Sequence, residues 1–155
     1  MKIGSYDFNF FNWITRSELV ELDSINTEDD PVRPELDNIF RTSNGRKIFG
    51  LKYSSEIHGV ICVAYTDDIP TTIKELDLMS KDEGKIAIAY TVWSLKKGAG
   101  KKIMQEFLRH VKIEGKVESI MTLSPLTPMA THYHIRNGAR LININPTTQN
   151  FEYKL

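Results

Sequence analysis

The sequence predicts an α/β fold of the mixed, α+β kind, with one sheet carrying helices on both faces. Two patterns point to it. Strand-like runs at Lys47–Tyr53 and Ile57–Tyr65 are separated by a short Ser54-Ser55 turn, which makes a hairpin and hence an antiparallel part. From Ile86 onward strands alternate with helical stretches, and a strand–helix–strand crossover implies parallel pairing.

The elements follow in order. Residues 1–11 alternate weakly around Phe8 and Phe10 and read as a short strand or loop. Trp13, Ile14, Leu19, Val20 and Leu22 fit a helix over Trp13–Ile25, with Asn12 as its N-cap. Asp29-Asp30-Pro31 and Pro34 end that helix, because proline lacks the amide donor and disfavours helix at the residue before it. A second short helix is expected over Glu35–Phe40, then a turn at Asn44-Gly45. In the hairpin, Val60-Ile61-Cys62-Val63-Ala64 is apolar without interruption and predicts a central strand buried on both faces. A short helix is expected over Thr71–Met79 and a strong strand over Ile86–Trp93. Ile103, Met104, Phe107, Leu108 and Val111 make one apolar helix face, which stops at Glu114-Gly115. A strand at Ser119–Leu123 and a helix at Pro128–Arg136 follow, the helix stopped by Asn137-Gly138. Ala139–Ile144 and Asn150–Tyr153 finish as strands.

Length and charge narrow the function. The 155 residues fit one domain spanning the whole chain. Lys plus Arg and Asp plus Glu both number 20, so the large positive excess of a nucleic-acid coating protein is missing. Cys62 is the only cysteine, which excludes an intramolecular disulfide and a multi-cysteine zinc site; its apolar run marks it as a buried core residue rather than a nucleophile. The N-terminus lacks the apolar core of a signal peptide, and no stretch approaches the ~20 apolar residues of a membrane span. A cytoplasmic protein with no membrane and no nucleic-acid partner is expected.

Chemistry concentrates at Lys96-Lys97-Gly98-Ala99-Gly100-Lys101-Lys102, between a strand and a helix. The first amides of a helix have no internal partner and carry partial positive charge. Glycine lets a ligand approach the backbone, and four lysines flank the turn, so it can seat a phosphate or pyrophosphate. A tight turn with solvated lysines fits the same residues equally well. The spacing is neither that of a Walker A loop nor that of a dinucleotide fingerprint.

With its antiparallel front, the strand, the basic Gly98-Ala99-Gly100 turn and the helix, the chain resembles the GNAT superfamily, whose loop seats the pyrophosphate of coenzyme A. Leu95 stands where that family usually has Gln or Arg, which leaves Lys96 and Lys97 as the basic contacts. The second half is similar to the C-terminal catalytic domain of malonyl-CoA decarboxylases. The likeness runs over roughly residues 46–155: Val60–Ile73, Ala89–Ser94, Thr122-Leu123-Ser124-Pro125, His134–Leu141 with Ile144-Asn145, and Asn150-Phe151-Glu152-Tyr153. It implies a mostly antiparallel sheet with one splayed parallel pair. Bound acyl-CoA is implied as substrate, seated by Lys96, Lys97, Gly98, Ala99, Gly100 and Lys101 with Val92 and Trp93 along the strand; a homodimer is left open. The resemblance covers their catalytic domain alone, and a chain without their separate helical domain is expected.

The resemblance assigns His134 as a proton donor with a pKa near the working pH, and Thr71 or Thr72 as the hydroxyl that orients a substrate carboxylate. Backbone amides of Ala89–Trp93 would stabilise the enolate oxygen. Tyr133 would serve a transferase as general acid toward the coenzyme A thiolate. No metal is expected: His132 and His134, two apart in a helix, do not share a face. Three readings follow: a malonyl-CoA-decarboxylase-like enzyme, a GNAT N-acetyltransferase for a small amine, and a non-catalytic acyl-CoA-binding module.

Overall fold

A computed structural model describes residues 16–155 and two short strands, β1 (Lys2–Ile3) and β2 (Tyr6–Asp7), which pair with each other. Apart from these strands, the expectations for residues 1–11 and for the start of the Trp13 helix lie outside the described residues. The main sheet holds β3 (Glu18–Leu22), β4 (Lys47–Tyr53), β5 (Glu56–Thr66), β6 (Ile86–Ser94), β7 (Ser119–Thr122), β8 (Ser124–Pro125), β9 (Arg140–Ile144) and β10 (Thr148–Tyr153). Their order is β3-β4-β5-β6-β7-β10-β8, with β9 also paired to β10. Every pair is antiparallel except β6–β7. Among the described residues there are four α-helices, α1 (Asn38–Thr42), α2 (Ile73–Met79), α3 (Ala99–Glu114) and α4 (Pro128–Arg136), and one 3-10 turn at Thr27–Asp29.

β5 shows why its run is so apolar. Ile61, Val63 and Tyr65 pack on one face with Ile103, Met104 and Phe107 of α3. Val60, Cys62 and Ala64 pack on the other, with Leu76 of α2 and the partly buried Leu36 and Phe40. Both faces are covered, so alternation disappears; each large buried side chain stabilises by roughly 1.5–3 kcal/mol. Cys62 is fully buried, and burial pushes its thiol up to about 11. The hairpin turn holds Ser54 and Ser55 at φ of 49° and 71°, the geometry that matches the twist of two directly linked strands.

The expected Trp13–Ile25 helix is corrected by the fold: residues 18–22 form strand β3 on the edge of β4. Leu19, Val20 and Leu22 fit either period, and β4 offers their backbone a full ladder from Glu18↔Lys52 to Leu22↔Ile48. Leu22 lies against Gly50, where a Cβ would stand 2.7 Å from its Cδ1. The Glu35–Phe40 helix is displaced. It begins after Asp37, whose side chain accepts from the Phe40 amide at 2.8 Å, and runs to Thr42.

Two irregularities open the sheet. Thr91 faces Cys62 and Ala89 faces Val63, so Tyr90 is an extra residue, a bulge in β6. Side-chain alternation inverts there: Ile88 and Tyr90 share a core face with Trp93, whereas Ala87, Ala89 and Val92 share the other. The β6–β7 ladder ends at Ala89↔Thr122, with Leu123 N–H donating to the Ala89 carbonyl at 3.1 Å. β8 then turns away to pair with β10. From Tyr90 to Ser94 the two parallel strands are splayed apart.

Candidate active site at the splayed strands

A cavity of about 330 Å³ fills the splay. Its walls are β6 from Ala89 to Ser94, the Leu123–Pro125 turn, Tyr133 and His134 of α4, and Pro31, Val32 and Arg33 of the long N-terminal segment.

The glycine turn adjoins it. Gly98 is the N-cap of α3 at φ 87°, a left-handed conformation suited to glycine, and no side chain caps the helix. Ala99 N–H donates to the Lys96 carbonyl at 3.1 Å, and the amides after it carry the partial positive charge of the helix start. Gly100 lines the cavity and lies under an aromatic ring: a Cβ there would stand 3.3 Å from Cε1 of Tyr133. Lys96 is half exposed, 3.8 Å from Glu56; Lys97 and Lys101 are exposed; Ala99 is buried. Val92 and Trp93 line the cavity.

Tyr133 and His134 come from α4, which starts cleanly because Thr127 caps it and Pro128 occupies its first turn. The Tyr133 hydroxyl donates to the Gly100 carbonyl at 2.6 Å and so ties α4 to the start of α3. Burial raises its pKa, so it remains protonated. His134 is 5% exposed, packed between Tyr133 and Phe151 and edge-on to Tyr153. Its Nδ1 lies 2.6 Å from the Tyr153 hydroxyl. Burial lowers its pKa to about 4, which corrects the expected value near neutrality. The ring is a neutral imidazole at pH 7. Burial raises the Tyr153 pKa as well, so its hydroxyl keeps the proton. The contact allows either direction; with the hydroxyl as donor, Nδ1 is the acceptor. Nε2 then carries the ring proton.

Thr71 and Thr72 are placed elsewhere. Thr72 caps α2 by accepting from the Glu75 amide at 3.0 Å, and the Thr71 hydroxyl and amide both donate to the Glu75 carboxylate. Neither lines the cavity that holds His134. His132 is exposed, with Nε2 3.5 Å from Arg136, while His134 is buried, so the two histidines leave α4 in different directions.

The sequence reading missed the wall opposite α4. Asp30, Arg33 and Arg41 are 1%, 6% and 0% exposed. Asp30 Oδ2 pairs with Arg41 Nη1 at 2.9 Å, and both its oxygens accept from the Thr91 hydroxyl at 3.0 Å. Its Oδ1 also accepts from the Val32 and Arg33 amides. Arg41 Nη2 donates to the Arg33 carbonyl at 2.7 Å, and Arg33 Nη1 donates to the Tyr90 carbonyl at the bulge. A segment with almost no regular structure is thereby fixed against β6. The available signal was three charged residues within a proline-broken stretch, which looks like an ordinary solvated loop.

No protein-family model matches the sequence, and no curated protein matches it. Solved structures do match. The loading GNATL domain of CurA from Lyngbya majuscula is similar at a TM-score of 0.66 and 16% identity, over 88% of this chain and 96% of that one. A Bacillus subtilis acetyltransferase solved in complex with CoA matches at 0.63 and 13%, over 90% and 99%. A malonyl-CoA decarboxylase from Cupriavidus metallidurans matches at 0.55 and 20%, over 76% of this chain and 33% of that one. The fold is the GNAT fold, a mostly antiparallel sheet with one splayed parallel pair and helices on both faces. It resembles the decarboxylase as well as the acetyltransferases, and this chain spans about a third of the decarboxylase's length.

Proposed function

We propose that the chain is a single acyl-CoA-binding domain that decarboxylates a malonyl thioester. The glycine-capped start of α3, with Lys96, Lys97 and Lys101 around it, receives the pyrophosphate. The acyl group enters the cavity beside Val92 and Trp93. The observation that carries the reaction is the His134–Tyr153 hydrogen bond, which with Tyr153 as donor leaves an Nε2–H group on a neutral ring facing the cavity. Such a ring is a poor base for an amine but a suitable partner for a developing oxyanion. The bond to the carboxylate breaks, CO2 leaves, and the electron pair passes to the thioester oxygen as an enolate. His134 Nε2–H and amides of the Ala89–Trp93 strand stabilise that oxygen. The enolate carbon then takes a proton from Nε2 as Tyr153 passes its own to Nδ1, which keeps the ring neutral; water restores the Tyr153 proton, and the hydroxide left combines with the CO2 as bicarbonate. Thr71 and Thr72 support helix α2 and have no part in this scheme.

A second reading, N-acyl transfer to a small amine, is favoured by Tyr133. It lines the cavity and keeps its proton, as a general acid for the coenzyme A thiolate must. Mass spectrometry of malonyl-CoA incubated with the chain and no amine separates the readings. Acetyl-CoA formed by the unmodified chain and lost in His134→Ala supports decarboxylation. Intact malonyl-CoA, with transfer seen only when amines are added, supports the transferase. Binding without either reaction leaves an acyl-CoA-binding module.

A further inference from the structure

The cavity reaches both faces of the sheet, and its ends differ in charge. At one end Gly100 and His134 approach from the α3 face, where His134 packs on Phe151 of the α3 core. At the other, Arg33 approaches from the face that carries Leu36 and Phe40. Arg33 is 6% exposed and charged. The buried group around it holds two guanidinium groups, Arg33 and Arg41, and one carboxylate, Asp30. That carboxylate is fully engaged, by Arg41, by the Thr91 hydroxyl and by two backbone amides. Among the described residues the Arg33 side chain donates only to the Tyr90 carbonyl, so most of its five N–H donors are unspent. Desolvation lowers its pKa, the mark of a cation whose surroundings undercompensate it. Asp30 and Glu35 offset part of that cost at a distance, but neither accepts a hydrogen bond from the Arg33 side chain, so its unspent donors are open to a ligand that brings a negative charge.

We infer that Arg33 is the receptor for a carboxylate carried by the acyl group, at the end of the cavity opposite the glycine turn. This rests on the acyl-CoA reading above and adds a residue that selects the substrate. Malonyl-CoA fits the arrangement: its coenzyme A end lies at α3 and its free carboxylate crosses the splay to Arg33. Arg33 acts on binding rather than on the chemical step, because negative charge leaves the carboxylate as CO2 forms. A group that holds the ground state more tightly than the transition state lowers KM without raising kcat.

The test compares malonyl-CoA with propionyl-CoA, which carries a methyl group in place of the carboxylate. Rapid-mixing fluorescence, read from Trp93 in the cavity wall before turnover, gives both affinities. Unmodified chain is expected to favour malonyl-CoA by about tenfold or more, the scale of a hydrogen bond to a charged group. Arg33→Met should bring the ratio to about one while free coenzyme A binds as before, and Arg33→Lys should restore part of it. In turnover, Arg33→Met should raise KM for malonyl-CoA with kcat unchanged or higher. A ratio near one in the unmodified chain, with both thioesters bound, overturns the role of Arg33 and leaves acyl-CoA binding standing. A ratio that persists in Arg33→Met overturns it as well. Failure of the unmodified chain to bind any coenzyme A species removes the reading on which it rests.

Discussion

The two walls of the cavity are built by different physics. The α3–α4 wall uses backbone and aromatic groups: an uncapped helix start, Tyr133 on the Gly100 carbonyl, and Tyr153 on His134. The opposite wall uses buried charge: Asp30 held by Arg41 and Thr91, with Arg33 on the Tyr90 carbonyl. The first wall stands on regular helices and on contacts 33 and 19 positions apart, Tyr133 to Gly100 and His134 to Tyr153. The second stands on contacts between residues about 60 positions apart, such as Thr91 to Asp30. A wall of the first kind tolerates small changes, whereas a wall of the second kind depends on charge balance.

Asp30→Asn should show the contrast most strongly. It leaves Arg41 and Arg33 buried without their carboxylate and should cost about 3–5 kcal/mol in urea unfolding. A loss no larger than that of Gly98→Ala, expected near 1 kcal/mol for a side chain forced to φ 87°, would erase the distinction between the walls.

The α3–α4 wall has its own pH signature. The folded pKa of His134, about 4, lies below its usual value of 6.5. Its contribution to stability is therefore complete above pH ~6.5 and lost as pH falls to about 4, on the order of 3 kcal/mol in all. Urea midpoints across that range should fall less steeply in His134→Phe than in the unmodified chain. Tyr153→Phe removes the donor to Nδ1 and should cost about 1 kcal/mol. If decarboxylation is the reaction, it should also slow turnover by roughly tenfold, because the ring proton is no longer held on Nε2.

The smallest effect belongs to the rim. Lys96→Ala should change stability by less than about 0.5 kcal/mol. It should weaken coenzyme A binding at low salt, and the difference should shrink as salt screens the exposed charge. A salt-independent loss would mean that Lys96 does more than attract the pyrophosphate.

Legibility in the sequence followed the same division. β5, β6, α3 and α4 announce themselves through local patterns: a double-faced apolar run, an i, i+4 stripe, and proline and glycine at helix ends. Gly98, Gly100, Tyr133, His134, Val92 and Trp93 were therefore readable as candidates, and they adjoin or line one cavity. Leu19, Val20 and Leu22 were misleading because three apolar residues satisfy two periods, and only the edge of β4 decides between them. Thr71 and Thr72 were drawn to chemistry by resemblance, whereas Glu75 three and four residues on marks a capping box. The depressed pKa of His134 depends on Phe151 and Tyr153, brought there by the fold. Arg33 stands in a charged, proline-broken stretch that reads as a solvated loop, and its burial is made by a strand far along the chain.

The most direct measurement is a crystal structure of the chain with sulfoacetyl-CoA, which keeps the thioester oxygen and carries a sulfonate in place of the malonyl carboxylate. The expected result has the pyrophosphate on the first amides of α3 and the acyl oxygen within hydrogen-bond distance of His134 Nε2. Coenzyme A seated away from the Gly98–Gly100 turn, or an acyl group outside the splay between β6 and β7, would contradict the proposed site.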